Sequence, residues 1–231
     1  MNSFNYFIKE YQTESSIISQ LFYGILETNS VCKNCKKISN LQGFNPKVTY
    51  NYQSFNCILF KLDEVKKSNL YFNNFQIEEN KIISLNDCFN HYQLPETVKK
   101  DTKYLCNICK EESDILFTST IYSSPNVLIL IILREENFLS NIELNFTETL
   151  DITNFVLENK GKLIYNLYGV ISQIIENNNN PYYIASCKSS KDQKWYRFYD
   201  DKISSITNVN KEVISYGKPC ILFYKKIKET N

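Results

Sequence analysis

The chain has 231 residues, 43% of them hydrophobic, with 17 Tyr, 15 Phe and only 5 Gly, and a formal net charge of +1. That length supplies an ample core for one large domain or two small ones, and the aromatic-rich, glycine-poor composition describes a strand-rich globular protein. A charge balance this even gives no electrostatic basis for nucleic acid or an anionic membrane as partner, and the longest apolar run, Val127 to Leu133, has the length of a buried strand and not of a membrane span.

Residues 1–15 read as a polar and aromatic lead-in without a period. They lack the basic start and apolar core of a signal peptide, so a reducing compartment, cytoplasmic or nuclear, is expected. Ser16 is placed to cap a short helix with Ile17, Ile18, Leu21, Phe22 and Ile25 on one face. The chain then extends through Leu26 to Val31 into Cys32-Lys-Asn-Cys35. Alternation at Val48, Tyr50 and Tyr52, and again at Phe55, Cys57 and Leu59, predicts half-buried strand. The charged, Asn-rich segment from Asp63 to Lys81 reads as a loop.

The clearest helix follows, with Ser84 as cap, Asp87 completing a variant of the capping box, and Leu85, Cys88, Phe89 and Tyr92 on one face. Pro95 marks its end. A second cysteine pair, Cys106-Asn-Ile-Cys109, leads into a strand carrying Ile115, Phe117 and Ile121. Pro125 sets up the run Val127 to Leu133, a central strand covered on both faces. Ile142, Leu144 and Phe146 alternate in a further strand, and Leu163 to Ile175 forms a long one, ended by an Asn177 to Asn180 loop. Tyr182 to Lys188 and Lys194 to Tyr199 pair as a hairpin, and Cys220 to Tyr224 is the last strand. The sum is an α+β domain dominated by antiparallel strands.

Two Cys-x-x-Cys knuckles supply the four thiolates of a tetrahedral zinc site, Cys32, Cys35, Cys106 and Cys109. The bland alternative is four unrelated buried thiols, but Lys33, Asn34, Lys36, Asn107 and Lys110 make both knuckles polar turns, and lysines favour thiolate. A redox role is disfavoured because neither motif reads as the start of a helix in a βαβ pattern. Four sulfur ligands leave no open position, so Zn2+ here is a structural cofactor. The remaining cysteines, Cys57, Cys88, Cys187 and Cys220, read as core thiols. The lone histidine, His91, falls off the apolar face of its helix and reads as a solvated residue, not a base. Carboxylate pairs such as Glu111-Glu112 and Asp200-Asp201 read as turn charges.

The order of these pieces resembles the ubiquitin-specific protease family, the ubiquitin carboxyl-terminal hydrolases of papain-like cysteine protease type. Ser16 to Gly24 with the first knuckle, Ser84 to Phe89, Lys103 to Cys109 and Pro125 to Leu130 carry the first part of the resemblance. Tyr165 to Val170, Tyr183 to Ala185, Trp195 to Phe198, Asp200 and Ile221 to Tyr224 carry the rest. The resemblance covers residues 16–231 and implies a partial hand, with fingers at about 28–118 and a palm at about 119–231. It further implies that the thumb, with the nucleophilic Cys and the oxyanion-hole Gln, lies upstream of this sequence.

Two departures concern catalysis. The family's Gly-His-Tyr stretch aligns with Pro181-Tyr-Tyr183, so Tyr182 stands at the general-base position, and the orienting Asp or Asn aligns with Tyr199, followed by a retained acid at Asp200. Gln173 stands where many members have another His. A phenol of ordinary pKa near 10 does not replace an imidazole near 6.5 at neutral pH. The resemblance therefore implies a catalytically inactive protein that binds ubiquitin or another protein subunit. Two alternatives stand beside it: a fragment of an active deubiquitinating thiol protease, and a structural zinc-knuckle scaffold without ubiquitin binding. Aromatic residues on the strands offer contact area to a protein partner, although filling the core is the simpler account of most of them.

Overall fold

The computed structural model describes residues 15–42, 46–72, 82–98, 104–134, 142–158, 161–175 and 181–227. The expected lead-in over residues 1–14, residues 73–81 of the expected loop and the Asn177 to Asn180 loop lie outside these residues.

Helix α1 (Ile17–Phe22) opens the fold with the expected Ser16 cap, closed into a box by Ser19. It is only six residues long and buries none of its side chains. Its apolar face points outward, with Ile17 73% and Ile18 56% exposed. Ile25, expected on that face, belongs instead to strand β1 (Gly24–Cys32), where it is buried.

Helix α2 (Lys33–Gln42) follows Cys32 without a break, and β2 (Thr49–Phe55) returns along β1. Gly24 is the one residue that permits the close approach at the base of this pairing. A β-carbon there would meet the Phe55 ring at 2.4 Å and the Ser123 carbonyl at 2.7 Å. Strand β3 (Ile58–Lys61) buries Ile58 and Phe60, so the expected inward phase of Cys57 and Leu59 is reversed: Leu59 is exposed. The pleat turns over at the Asn56 bend between the two strands, and a single alternation cannot run through it.

Helix α3 (Leu62–Phe72) replaces the first half of the expected loop. Its charged first turn suits the helix dipole, and Leu62 and Val65 anchor it to the core. Next come β4 (Ile83–Ser84) and α4 (Leu85–Tyr92), the latter with the predicted cap. Ser84 Oγ accepts from Asp87 N at 3.2 Å while Asp87 Oδ2 accepts from Ser84 N at 2.9 Å. Strands β5 (Glu96–Val98), β6 (Tyr104–Leu105), β7 (Glu112–Ser113) and β8 (Ile115–Ser123) follow. A four-stranded sheet of order β2-β1-β8-β5 results, with the β6-β7 ribbon at its far end.

The larger sheet uses β9 (Val127–Leu133), β12 (Ile164–Ile175), β13 (Pro181–Lys188), β14 (Trp195–Tyr199), β15 (Lys202–Ile206) and β16 (Lys218–Lys226). Its order is β15-β14-β13-β12-β16-β9-β3, with β11 (Thr149–Asp151) added beside β12. The short β10 (Leu144–Asn145) pairs with β4. Among the described residues only the β3-β9 and β4-β10 ladders run parallel, so the expected α+β, mainly antiparallel class is the observed one. Leu128, Leu130 and Ile132 of β9 are buried, but Leu133 is exposed, so the strand is covered fully on one face and only in part on the other.

Helix α5 (Val209–Tyr216) packs Val209 and Val213 onto this sheet. The core is one cluster joining both sheets, in which Tyr165 and Tyr224 are fully buried. Each satisfies its hydroxyl by donating to a backbone carbonyl, of Pro125 and Thr147 respectively. No helix among the described residues is long and apolar enough to cross a membrane.

Candidate functional site

The first knuckle lies where β1 turns into α2. Cys32 ends the strand and Cys35 is in the first turn of the helix. The expectation that neither motif opens a helix is thus corrected for this one: α2 is polar, and its short apolar stripe leaves little periodicity to read. The second knuckle is a tight turn between β6 and β7. Cys106 N donates to Glu111 O at 2.9 Å and Lys110 N to Cys106 O at 2.9 Å, and Lys110 takes a left-handed φ of 59° to close it.

The β1-β8 ladder places Cys32 opposite Ile115 and so delivers one knuckle to the other. All four sulfurs lie within 4.8 Å of one another, with Cys32 Sγ 3.9 Å from Cys109 Sγ and Cys35 Sγ 3.6 Å from Cys106 Sγ. Zinc–sulfur bonds of about 2.3 Å in a tetrahedron require sulfurs about 3.8 Å apart, so the donor set fits that ion. All eight cysteines of the chain are free thiols. The closest sulfur pairs join different knuckles, which is the arrangement of a ligand cage and not of a redox dithiol within one motif.

The two innermost thiols are poised differently. Burial, reinforced by hydrogen bonds with its neighbouring thiols, pushes Cys35 up to about 12. Backbone N–H groups of Cys109 and Ile108 bring Cys106 down to about 6, the Ile108 N–H donating to its Sγ at 3.4 Å. The second knuckle therefore favours a thiolate through its own backbone, and a cation takes the place of the protons that the facing thiols otherwise share.

Tyr182 and Tyr199 come from adjacent strands, and their rings meet with centroids 5.3 Å apart at an interplanar angle of 43°. Asp200 is exposed in the tight β14-β15 turn, with φ of 48°. Gln173 is half-buried on β12, paired with Tyr183 and Lys218. His91 is half-buried in the last turn of α4.

Of the four cysteines expected in the core, only Cys88 is fully buried. Cys57 and Cys220 are half-buried, and Cys187 is exposed because β13 turns Ile184 and Ser186 inward and its odd-numbered neighbours out. Sequence reasoning missed Ser113, a polar side chain only 4% exposed, set between the knuckles. Nothing in its neighbours in sequence marks it.

Residues 3–224 match the family described as ubiquitin carboxyl-terminal hydrolase. Over 198 residues the chain is 26% identical to Probable ubiquitin carboxyl-terminal hydrolase 16 of Schizosaccharomyces pombe, covering 83% of this chain and 37% of that protein. It is 28% identical over 231 residues to Ubiquitin carboxyl-terminal hydrolase 8 of Saccharomyces cerevisiae, covering 93% of this chain and 42% of that one. Among solved structures, the SAGA Ubp8/Sgf11/Sus1/Sgf73 DUB module bound to ubiquitin aldehyde aligns with a TM-score of 0.64 at 23% identity, over 97% of this chain and 48% of its counterpart. The chain spans less than half the length of the relatives it matches.

Proposed function

The chain belongs to the ubiquitin carboxyl-terminal hydrolase family, and from that premise we propose that it is a member without peptidase activity, which binds ubiquitin or another protein subunit through a zinc-stabilised hand. In this reading the four-stranded sheet with its cysteine cluster forms the fingers, about 28–118, and the larger sheet the palm, about 119–231. The observation that carries it is the Tyr182–Tyr199 ring contact. The two positions where the family pattern calls for a base and its orienting partner are filled by two phenols packed on each other. An imidazole that takes a proton needs a hydrogen-bonding partner on its far nitrogen, and neither side chain supplies either part.

Binding without hydrolysis is supported by the surface. Tyr183 and Phe198 are exposed on neighbouring strands and provide aromatic contact area without a strong charge pattern. The structural neighbour bound to ubiquitin aldehyde supports ubiquitin as the partner to try first. The second reading, a portion of an active deubiquitinating thiol protease, draws on the same family match and on the relatives' greater length. A third is a zinc-knuckle scaffold that has lost ubiquitin binding.

Calorimetric titration of zinc-loaded protein with monoubiquitin separates them, run beside a Cys106→Ala, Cys109→Ala variant and a ubiquitin electrophile that traps active-site thiols. The proposal expects saturable binding, weakened in the variant, and no covalent adduct. An adduct supports the second reading, and folded protein that gives no heat supports the third.

A further inference from the structure

The two knuckles are joined by more than their sulfurs. Beyond the last β1-β8 pair, Lys33 N donates to Asp114 O at 3.0 Å, extending the ladder by one bond. The next donor, Asn34 N, finds no strand carbonyl, because the chain has already entered α2. It donates instead to Ser113 Oγ at 3.2 Å, and Ser113 Oγ passes its own proton to Asp114 O at 3.1 Å. Asn34 N is one of the first N–H groups of α2, which have no partner within the helix. A serine distant in sequence thus does the work of a helix cap. Two outer contacts flank it: Asn34 Nδ2 to Glu111 Oε2 at 3.0 Å and Lys33 Nζ to Asp114 Oδ2 at 3.3 Å.

Both residues between Cys32 and Cys35 are therefore held by the segment that follows Cys109. Of these contacts, the one through Ser113 is buried, and the Lys33–Asp114 pair is half-exposed and contributes little by itself. A few hydrogen bonds of about 1 kcal/mol each do not fold the site alone, where a structural zinc contributes on the order of 10 kcal/mol. They act on geometry. By fixing the start of α2 against β7, they set the direction in which Cys35 projects towards Cys106.

We propose that Ser113, with Asn34, is a positioning clasp for the metal centre: it seats the first knuckle on the second so that four thiolates meet a thiophilic divalent cation, zinc, without further ordering of the chain. Outer partners that orient ligands are worth about 10- to 100-fold in metal affinity. This inference rests on the metal reading of the four cysteines.

The test is zinc affinity by competition with a chromogenic chelator for the unaltered chain, Ser113→Ala, Ser113→Thr, Asn34→Ala and, as a control on an exposed knuckle residue outside the clasp, Asn107→Ala. Ser113→Ala is expected to weaken zinc about tenfold or more, Asn34→Ala by less, and Ser113→Thr to restore affinity through its hydroxyl, with Asn107→Ala unchanged. Cobalt-loaded Ser113→Ala is expected to keep the thiolate charge-transfer bands of a four-sulfur site, and thermal unfolding of the metal-free variants to stay at the unaltered value. Zinc affinity in Ser113→Ala equal to the unaltered chain overturns the clasp and leaves the metal site standing. Equal destabilisation of the metal-free and zinc-loaded forms, with no change in affinity, overturns it in favour of a purely structural serine. Failure of the unaltered chain to bind zinc overturns both the clasp and the metal reading.

Discussion

Tyr182 and Tyr199 lie ring to ring, 5.3 Å between centroids, on neighbouring strands of the larger sheet. If this contact occupies the place of an imidazole and its orienting acid, hydrolysis is absent for a chemical and not a steric reason. The chain is expected to release no fluorophore from a ubiquitin carboxyl-terminal amide reporter. Tyr182→His is expected to remain at the blank, since an unoriented imidazole forgoes about 10⁴-fold in rate and Tyr199 orients nothing. Turnover by the unaltered chain, abolished by a thiol-alkylating reagent, would refute the non-catalytic reading.

Removing the metal is the second prediction. Loss of zinc leaves four clustered thiols and withdraws on the order of 10 kcal/mol of site stability, so the knuckles and the outer half of β1 and β8 are expected to open. The larger sheet has its own core and is expected to persist. Limited proteolysis after chelation should give new cuts within 33–42 and 104–114 while a fragment containing β12 to β16 survives. An unchanged digest, with metal loss verified by atomic absorption, counts against a structural metal.

Arg197 gives a third. It is almost fully buried, with its guanidinium 3.5 Å from the centre of the Tyr216 ring and its Nη2 donating to Glu212 O at 3.1 Å, tying β14 to α5. Arg197→Ala forfeits a desolvated cation–π contact and a charged hydrogen bond, about 3 kcal/mol together. That corresponds to a fall in Tm of roughly 6–12 °C for a chain of this size. Arg197→Lys, which keeps the charge but not the planar stack, is expected to recover only part of it by scanning calorimetry.

The fourth concerns acid. Glu212 accepts from Thr207 Oγ1 at 2.6 Å, Thr207 N at 2.9 Å and Asn208 N at 2.8 Å, and these bonds, the Thr207 hydroxyl first, hold its carboxyl down to about 2. An unfolded glutamate titrates near 4.3, so the folded value is the lower of the two. Its contribution is fully present above about pH 5 and is lost as pH falls through 4 towards 2. Glu212→Gln should therefore lower Tm at pH 7, with the gap to the unaltered chain closing between pH 5 and 2. A gap independent of pH would show that the carboxylate charge is not what holds this turn.

What the sequence revealed divides along physical lines. The α4 cap was readable because Ser84 and Asp87 sit three residues apart and act locally, and the knuckles because ligand spacing is dictated by the ion. Helix α3 hid behind its charges, since it anchors through Leu62 and Val65 and offers no wide apolar face. Strand β15, exposed except for Ile206, carried no inward pattern at all. The phase of β3 was misread because alternation was carried across a bend, and Cys187 because a cysteine's hydrophobicity says nothing of which way its strand faces. Ser113 could not be found, as its role exists only once two segments far apart in sequence have met.

The position of β16 has a kinetic consequence. The strand made last among those described lies in the middle of the larger sheet, between β12 and β9. Neither neighbour has its partner until residues 218–226 leave the ribosome, and β9 has by then waited through some ninety residues of synthesis with its apolar run unpaired. Such high contact order delays the sheet to the end of folding and makes a chaperone the natural companion of the nascent chain. Pulse-labelling hydrogen exchange during refolding would register this as protection of β9 and β16 arising together, after that of the hairpin β13-β14.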